Sequence, residues 1–229
     1  MHVAARSMLM CDALIWLFDT FRSINWLEVI KSTAPVVTAS IAFAALKNWQ
    51  RQDKAKRESE FLDLLIEATH TYIAELPKLI ILLEIAKMGM ASHVKTWEIG
   101  EQSDKIIQGA IAYIGKYGER DAKRLLEVLE MAQPSVIKLR SLIAKGQMFE
   151  FDSYSRCQKA IAMLTAQFDI IEASTTVIGS PDVNWENPMV LKNLKDVMVI
   201  EPAEMRKIVQ ENNISVIEFA RAIYQRIYS

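Results

Sequence analysis

Glu67 and His70 come nearest, in type and spacing, to a known metal-binding pattern. A Glu-x-x-His pair places a carboxylate and an imidazole on the same face of a helix. Di-iron carboxylate bundles use this spacing twice, with a further Glu on each of two other helices. The other histidines are His2 and His93, and Met90 lies three positions before His93, so there is no second copy. We interpret the pair as a solvent-facing polar pair, and a metal-dependent enzyme that uses Glu67 and His70 stays an alternative.

The rest of the sequence offers no other pattern with catalytic chemistry. It contains no Gly-rich phosphate loop, no Gly-x-Ser-x-Gly, no His-Glu-x-x-His and no Cys-x-x-Cys. Cys11 and Cys157 are the two cysteines, and their wide separation predicts neither a disulfide framework nor a zinc site. A formal net charge of −1 argues against a protein that wraps nucleic acid. We therefore expect no enzyme, no cofactor and no direct binding of nucleic acid.

The elements that position these residues are predicted to be helices. Only 7 glycines and 6 prolines occur in 229 residues, which favours long elements. One apolar stripe has the three- and four-residue spacing of an amphipathic helix. It consists of Phe61, Leu65, Ala68, Tyr72 and Leu76. The sequence therefore predicts an all-α fold, with a helical bundle of six or more helices.

Prolines and glycines are expected to mark the ends or kinks of the helices in this bundle. Pro77 should end or kink a helix, Pro134 should separate two helices, and Gly118 and Gly146 should end them. One long helix is expected from 152 or 153 to 179, followed by the loop "SPDVNWENP". We expect most of the 11 methionines to fill the core and some to mark an adaptable surface that binds a partner.

The segment from Glu201 to Ile223 resembles the first two helices of a repressor-type helix-turn-helix. In that motif the following helix reads the major groove, but only "YQRIYS" follows here, and the region is not strongly basic. A helical hairpin that completes the bundle is the favoured interpretation.

Residues 1–50 are predicted to associate with a membrane. The apolar segment Met8–Phe18 is too short to span, so it predicts an interfacial helix or one arm of a hairpin, and the number of spans stays open. Fifteen uncharged residues lie between Lys31 and Lys47, and a span of about 27–47 reaches sufficient length by admitting Glu28 and Lys31. The residues expected to hold the protein in the membrane are Trp26, Leu27, Pro35, Phe43 and Trp49.

A basic cluster follows the predicted span directly. It consists of Lys47, Arg51, Lys54, Lys56 and Arg57, with Asp53 as the one acidic residue before Glu58. The positive-inside rule then keeps the C-terminal side, residues 51–229, in the cytoplasm, and the cluster would attract anionic lipid. The alternative is a soluble or peripheral helical adaptor that buries both apolar segments against its own bundle or a second copy.

The run "APVVTASIAFAALKNWQRQ" resembles the start of small bacterial membrane-anchored proteins with a cytoplasmic helical domain. In layout, the chain also resembles transmembrane effectors of bacterial antiphage systems, including those of retrons. The resemblance implies a toxin-like effector of abortive infection in the bacterial inner membrane. It implies control by a partner protein, a reverse transcriptase with its RNA and DNA, and damage to the membrane upon release. The sequence also leaves open whether the protein forms a homo-oligomer.

Overall fold

The structure is a computed structural model that describes residues 26–94 and 102–228, except for the side chains of 26, 27, 29, 30 and 102–104. The described residues form helices and no strand, which confirms the all-α prediction. The chain divides into two compact units, Met1–Lys56 and Arg57–Ser229. The helices are α1 (Trp26–Ser92), α2 (Gln102–Tyr113), a π-helical turn (Ile114–Gly118), α3 (Glu119–Gly146), α4 (Tyr154–Ile178), α5 (Pro188–Val199) and α6 (Pro202–Tyr228).

The unit of residues 57–229 has a core of four long helices that alternate in direction. Gly118 lies against Ile178 and Gly146 against Tyr154, so α3 and α4 are antiparallel. Ion pairs that join Arg226 to Glu58 and Arg206 to Glu84 show that α6 runs antiparallel to α1. This is the up-down arrangement expected of helices joined by short loops.

The predicted apolar stripe on α1 lies in the core. Its five side chains are at most 2% exposed, which confirms the helical spacing as the signal of a buried face. Tyr72 also contributes a polar contact, because its hydroxyl donates to the backbone carbonyl of Leu164 at 2.9 Å. The stripe therefore packs α1 against α4.

Pro77 and Pro134 do not divide the helices, contrary to the prediction. α1 continues through Pro77, and α3 continues through Pro134. Both prolines are exposed, so each lies on the solvent side of its helix. There, water can donate a hydrogen bond to the backbone carbonyl that proline, which has no N–H, leaves without a donor.

Gly118 does not end a helix either. It lies in the π-helical turn that joins α2 to α3, so residues 102–146 form one continuous helical segment. A Cβ atom at this position would collide with the carbonyl oxygen of Ile178. The glycine therefore permits the close approach of the end of α4. Gly146 ends α3 and Gly179 follows α4, as predicted.

A buried polar cluster lies beside this π-helical turn. The Tyr113 hydroxyl donates to Oδ2 of Asp121, and Arg120 donates to Oδ1 of Asp121 through Nε and Nη2, each at 2.9 Å. Asp121 is 7% exposed. Burial, followed by the hydrogen bond to Asp121 and its charge, raises the pKa of Tyr113 to about 12. These contacts join residues on the two sides of the π-helical turn and so stabilise it.

The C-terminal segment is one helix, so both the helix-turn-helix and the helical-hairpin interpretation are wrong. α6 runs unbroken from Pro202 to Tyr228. The residues in the middle, where a turn was expected, include Asn212, whose side chain donates to the carbonyl of Ile208 at 2.7 Å. This bond pairs the side-chain amide within the helix, so Asn212 is accommodated there without a turn.

Alkaline pH is expected to destabilise the bundle through its buried tyrosines. Burial raises the pKa of Tyr72 far above its ordinary value and raises that of Tyr113 to about 12. The folded state therefore keeps protons that the unfolded chain loses near pH 10. The contribution is fully present below pH 10 and is lost as the pH rises, by about 1.4 kcal/mol per pH unit for each tyrosine.

Urea unfolding between pH 9 and 11 measures this loss. The variant Tyr113→Phe should lose only its own share of the slope above pH 10 and keep the parts due to Tyr72, Tyr154 and Tyr224, whose pKa values burial also raises. A free energy of unfolding that stays constant across this range in the parent protein would contradict the prediction.

Candidate membrane-binding segment

The N-terminal part of α1 exposes an apolar surface along its whole length. Every residue from 31 to 52 is helical and exposed. Val36 is 66% exposed, Phe43 is 69% exposed and Trp49 is 62% exposed. Val37, Ile41 and Leu46 are also exposed. A helix that is apolar around its circumference is normally buried in protein or in lipid.

The hydroxyl groups within this apolar run are satisfied inside the helix. Thr38 Oγ1 donates to the carbonyl of Ala34, and Ser40 Oγ donates to the carbonyl of Val36, both at 2.8 Å. In lipid no water is available to pair a polar group, so such bonds lower the cost of placing a hydroxyl there. The sequence reasoning did not single out these two residues, although Ser or Thr within an apolar helix is the signal for such bonds.

The five predicted membrane-holding residues lie on the same helix. α1 is continuous through Pro35, which is exposed, as are Phe43 and Trp49. Trp26 and Leu27 have helical backbone, and their side chains lie outside the described ones. The predicted segment Met8–Phe18 also lies outside the described residues. The predicted span of 27–47 and the number of spans therefore stay predictions.

The basic cluster continues the same helix on its C-terminal side. All five of its side chains are exposed. Lys47, Arg51 and Lys54 follow each other at spacings of four and three, which places them on one helix face. A cationic face directly after an apolar helix is an arrangement that binds anionic headgroups.

Within the described residues, one helix is long and apolar enough to cross a membrane. This helix is α4 (Tyr154–Ile178), which meets the criterion by length and composition, with a mean hydropathy of 1.3. Half of that apolar stretch is buried inside the fold, and Leu164, Ile171 and Ile178 are fully buried. Because core helices meet the same criterion, we describe α4 as the central helix of the bundle.

The candidate metal pair is not supported by further ligands nearby. Glu67 and His70 are both exposed on α1, and Oε1 of Glu67 lies 3.5 Å from Nζ of Lys138 on α3. Among the residues that the structure describes, no group of three His, Cys, Asp or Glu side chains is placed to hold a metal ion. In the described structure Glu67 therefore forms a surface ion pair between helices, and the interpretation as a polar pair fits its geometry.

Comparisons with known proteins identify no relative. No protein-family model matches the chain, and no curated protein sequence or solved structure is significantly similar to it.

Proposed function

We propose that the N-terminal part of α1 attaches this protein to a membrane, and that residues 57–229 act in the cytoplasm as an effector or regulator. A protein partner would control this action. One observation carries the proposal: an exposed helix, residues 31–52, whose large apolar side chains lie in water in the folded chain. An apolar surface of this extent marks a contact with lipid or with another protein.

The magnitudes favour apolar contact over charge as the main source of attachment. Removal of a large apolar side chain from water contributes about 1.5–3 kcal/mol. Six such side chains between Val36 and Trp49 are 50–69% exposed, so about 5–10 kcal/mol is available from them. Each basic residue near an anionic surface contributes about 1 kcal/mol. The apolar run would therefore hold the protein, and the basic cluster would decide which side of the membrane it faces.

The apolar run is shorter than the hydrocarbon core of a bilayer, so a span must include charged residues at its N-terminal end. The 15 residues between Lys31 and Lys47 cover about 22 Å, whereas the hydrocarbon core is about 30 Å thick. A span of 27–47 covers about 31 Å and includes Glu28 and Lys31, both of which are exposed. Lys31 can extend its amine to the interface, so its inclusion costs less than that of a centrally placed charge.

Fractionation of the full-length protein tests the attachment. We expect the protein in the bacterial inner-membrane fraction, resistant to washes with high salt and with alkaline carbonate, and released by detergent. Release by salt alone would instead favour a peripheral adaptor held by its basic cluster, because salt screens surface charge. Full-length protein that is soluble and monodisperse without detergent would remove the membrane proposal.

The effector role follows from the resemblance and needs a test of its own. We propose that the protein damages the membrane when its partner releases it. Expression of the gene alone should then slow growth and collapse the membrane potential, and co-expression of neighbouring genes should relieve both effects. A variant with Phe43→Asp is the matched control and should be harmless. Normal growth and membrane potential, with the protein present in the membrane, would contradict the effector role but leave the attachment standing.

A further inference from the structure

α4 carries a second apolar stripe on the side opposite its core face. The core face includes Leu164 and Ile171, which are fully buried. The second stripe, which we call the α4 ridge, consists of Met163, Ala166, Ile170, Ala173 and Val177. Its spacing of three and four residues repeats every seven, which is the pattern of a helix that packs against one other helix. Met163 is 40% exposed, Ile170 is 38% exposed and Ala173 is exposed, whereas Ala166 and Val177 are half-buried, so the described residues leave the ridge partly uncovered.

A groove borders the C-terminal half of the α4 ridge. Ile170, Ala173 and Val177 form one wall, and Val197 and Ile200 on or next to α5 belong to the other. The groove has a volume of about 550 Å³, and Asn193 and Asp196 lie among its lining residues. A groove of this kind can receive the side chains of an apolar helix face.

We infer that the α4 ridge is a contact between two copies of this chain, which pack their α4 helices antiparallel about a two-fold axis at Ile170. The order of sizes along the ridge supports this. It reads large, small, large, small, large, and it is the same in both directions from Ile170. An antiparallel copy would place Ala166 opposite Ala173, where small side chains let two helices approach closely. Met163 of each copy would then enter the groove of the other, beside Val177.

The charges at the two ends of the ridge support the antiparallel direction. Lys159 is exposed near its N-terminal end, and Asp196 is exposed in the groove at its C-terminal end. Neither forms an ion pair with any residue that the structure describes. An antiparallel copy brings these opposite charges together, whereas a parallel copy would bring like charges together. Because a two-fold interface is self-complementary, each pairing would occur twice.

The acidic side chains beside the ridge argue against lipid as the occupant. Asp196 lies in the groove, and Glu172 is exposed on α4 beyond the ridge. Acidic side chains beside an apolar stripe repel anionic headgroups, in contrast to the basic cluster of α1. The contact is therefore separate from membrane attachment, and a loss of attachment would leave it intact.

Cross-linking of single cysteines tests this contact in the full-length protein. The background variant carries Cys11→Ser and keeps Cys157, which is fully buried. Ile170→Cys lies on the proposed axis, so a short bis-maleimide should convert most of this variant to a covalent dimer. Glu172→Cys, exposed on the same helix but away from the ridge, is the control and should stay mainly monomeric.

Two further experiments test the direction and the strength of the contact. A mixture of Met163→Cys and Val177→Cys proteins should cross-link to each other more strongly than either does to itself. Ile170→Glu should halve the mass measured by light scattering, Ile170→Leu should preserve it, and both should keep the helical circular dichroism. Equal cross-linking at 170 and 172, an unchanged mass for Ile170→Glu, or cross-links only to a different protein would each overturn the inference.

Discussion

Replacement of Phe43 by Asp is expected to move the full-length protein from the membrane fraction to the supernatant. Phe43 lies within the apolar run and is 69% exposed in the fold, so the change removes no core contact. A carboxylate costs about 3 kcal/mol at the centre of a membrane helix on the insertion scale. Phe43 lies about 9 Å from the middle of the predicted span 27–47, so the cost there is smaller, about 1–2 kcal/mol. This amounts to a shift of about 10-fold in the partition between membrane and water.

Two matched variants separate this effect from a general loss of stability. Phe43→Leu keeps an apolar side chain and should stay in the membrane. Asn48→Asp adds the same charge next to the basic cluster, where a charge near the interface costs little, and should also stay. Fractionation followed by immunoblotting measures the distribution, and thermal unfolding checks that the helical fold is kept. Membrane retention of Phe43→Asp at the parent level would show that this segment does not enter lipid.

Ile171→Ala is expected to destabilise the bundle by about 2–5 kcal/mol, whereas Ile170→Ala should cost less than about 1 kcal/mol. The two residues are neighbours of the same type on α4. Ile171 is fully buried and Ile170 is 38% exposed, so only the first substitution leaves a cavity in a packed core. Because the substitution is the same at both positions, the difference between the two losses in stability measures the effect of burial.

Chemical denaturation of the detergent-solubilised protein gives both values. Measurements at two protein concentrations separate the stability of the fold from self-association through the α4 ridge, since only the latter depends on concentration. Equal losses for Ile170→Ala and Ile171→Ala would contradict the description of α4 as a core helix with one buried face.

Helical periodicity predicted the core of the bundle well. The spacing of Phe61, Leu65 and Tyr72 shows which face of α1 is buried, because apolar side chains at three and four positions must lie on one side of a helix. The end of α3 at Gly146 and the end of α4 before Gly179 were also predictable, since glycine favours the end of a helix.

The helix interruptions could not be predicted from residue type alone. Pro77 and Pro134 are tolerated because both lie on the solvent side, and that side is known only once the bundle has formed. Gly118 is required by its proximity to Ile178, a contact between residues 60 positions apart. Long-range packing, and not local preference, decides these positions.

The exposure of the apolar run in α1 could not be predicted from the sequence either, because it also depends on long-range packing. The apolar run around Phe43 could equally have been packed into the core of the bundle, and its exposure in the fold argues against that alternative. Most of the methionines were expected in the core and some at the surface. Met90 and Met205 are buried, but Met88, Met131 and Met148 are 59%, 68% and 84% exposed. Composition indicates that apolar residues need cover but does not identify what covers them.

The apolar character of α4 has a consequence for synthesis on the ribosome. Its buried face is completed by α6, which ends about 50 residues later in the chain. At about 5–20 residues per second, the nascent chain carries an uncovered α4 for about 3–10 s before its packing partner is made. Under the proposed membrane attachment, the insertion machinery meets during that interval a helix that satisfies the length and hydropathy criterion for a span. Timely synthesis of α6 would then keep α4 in the bundle and out of the membrane.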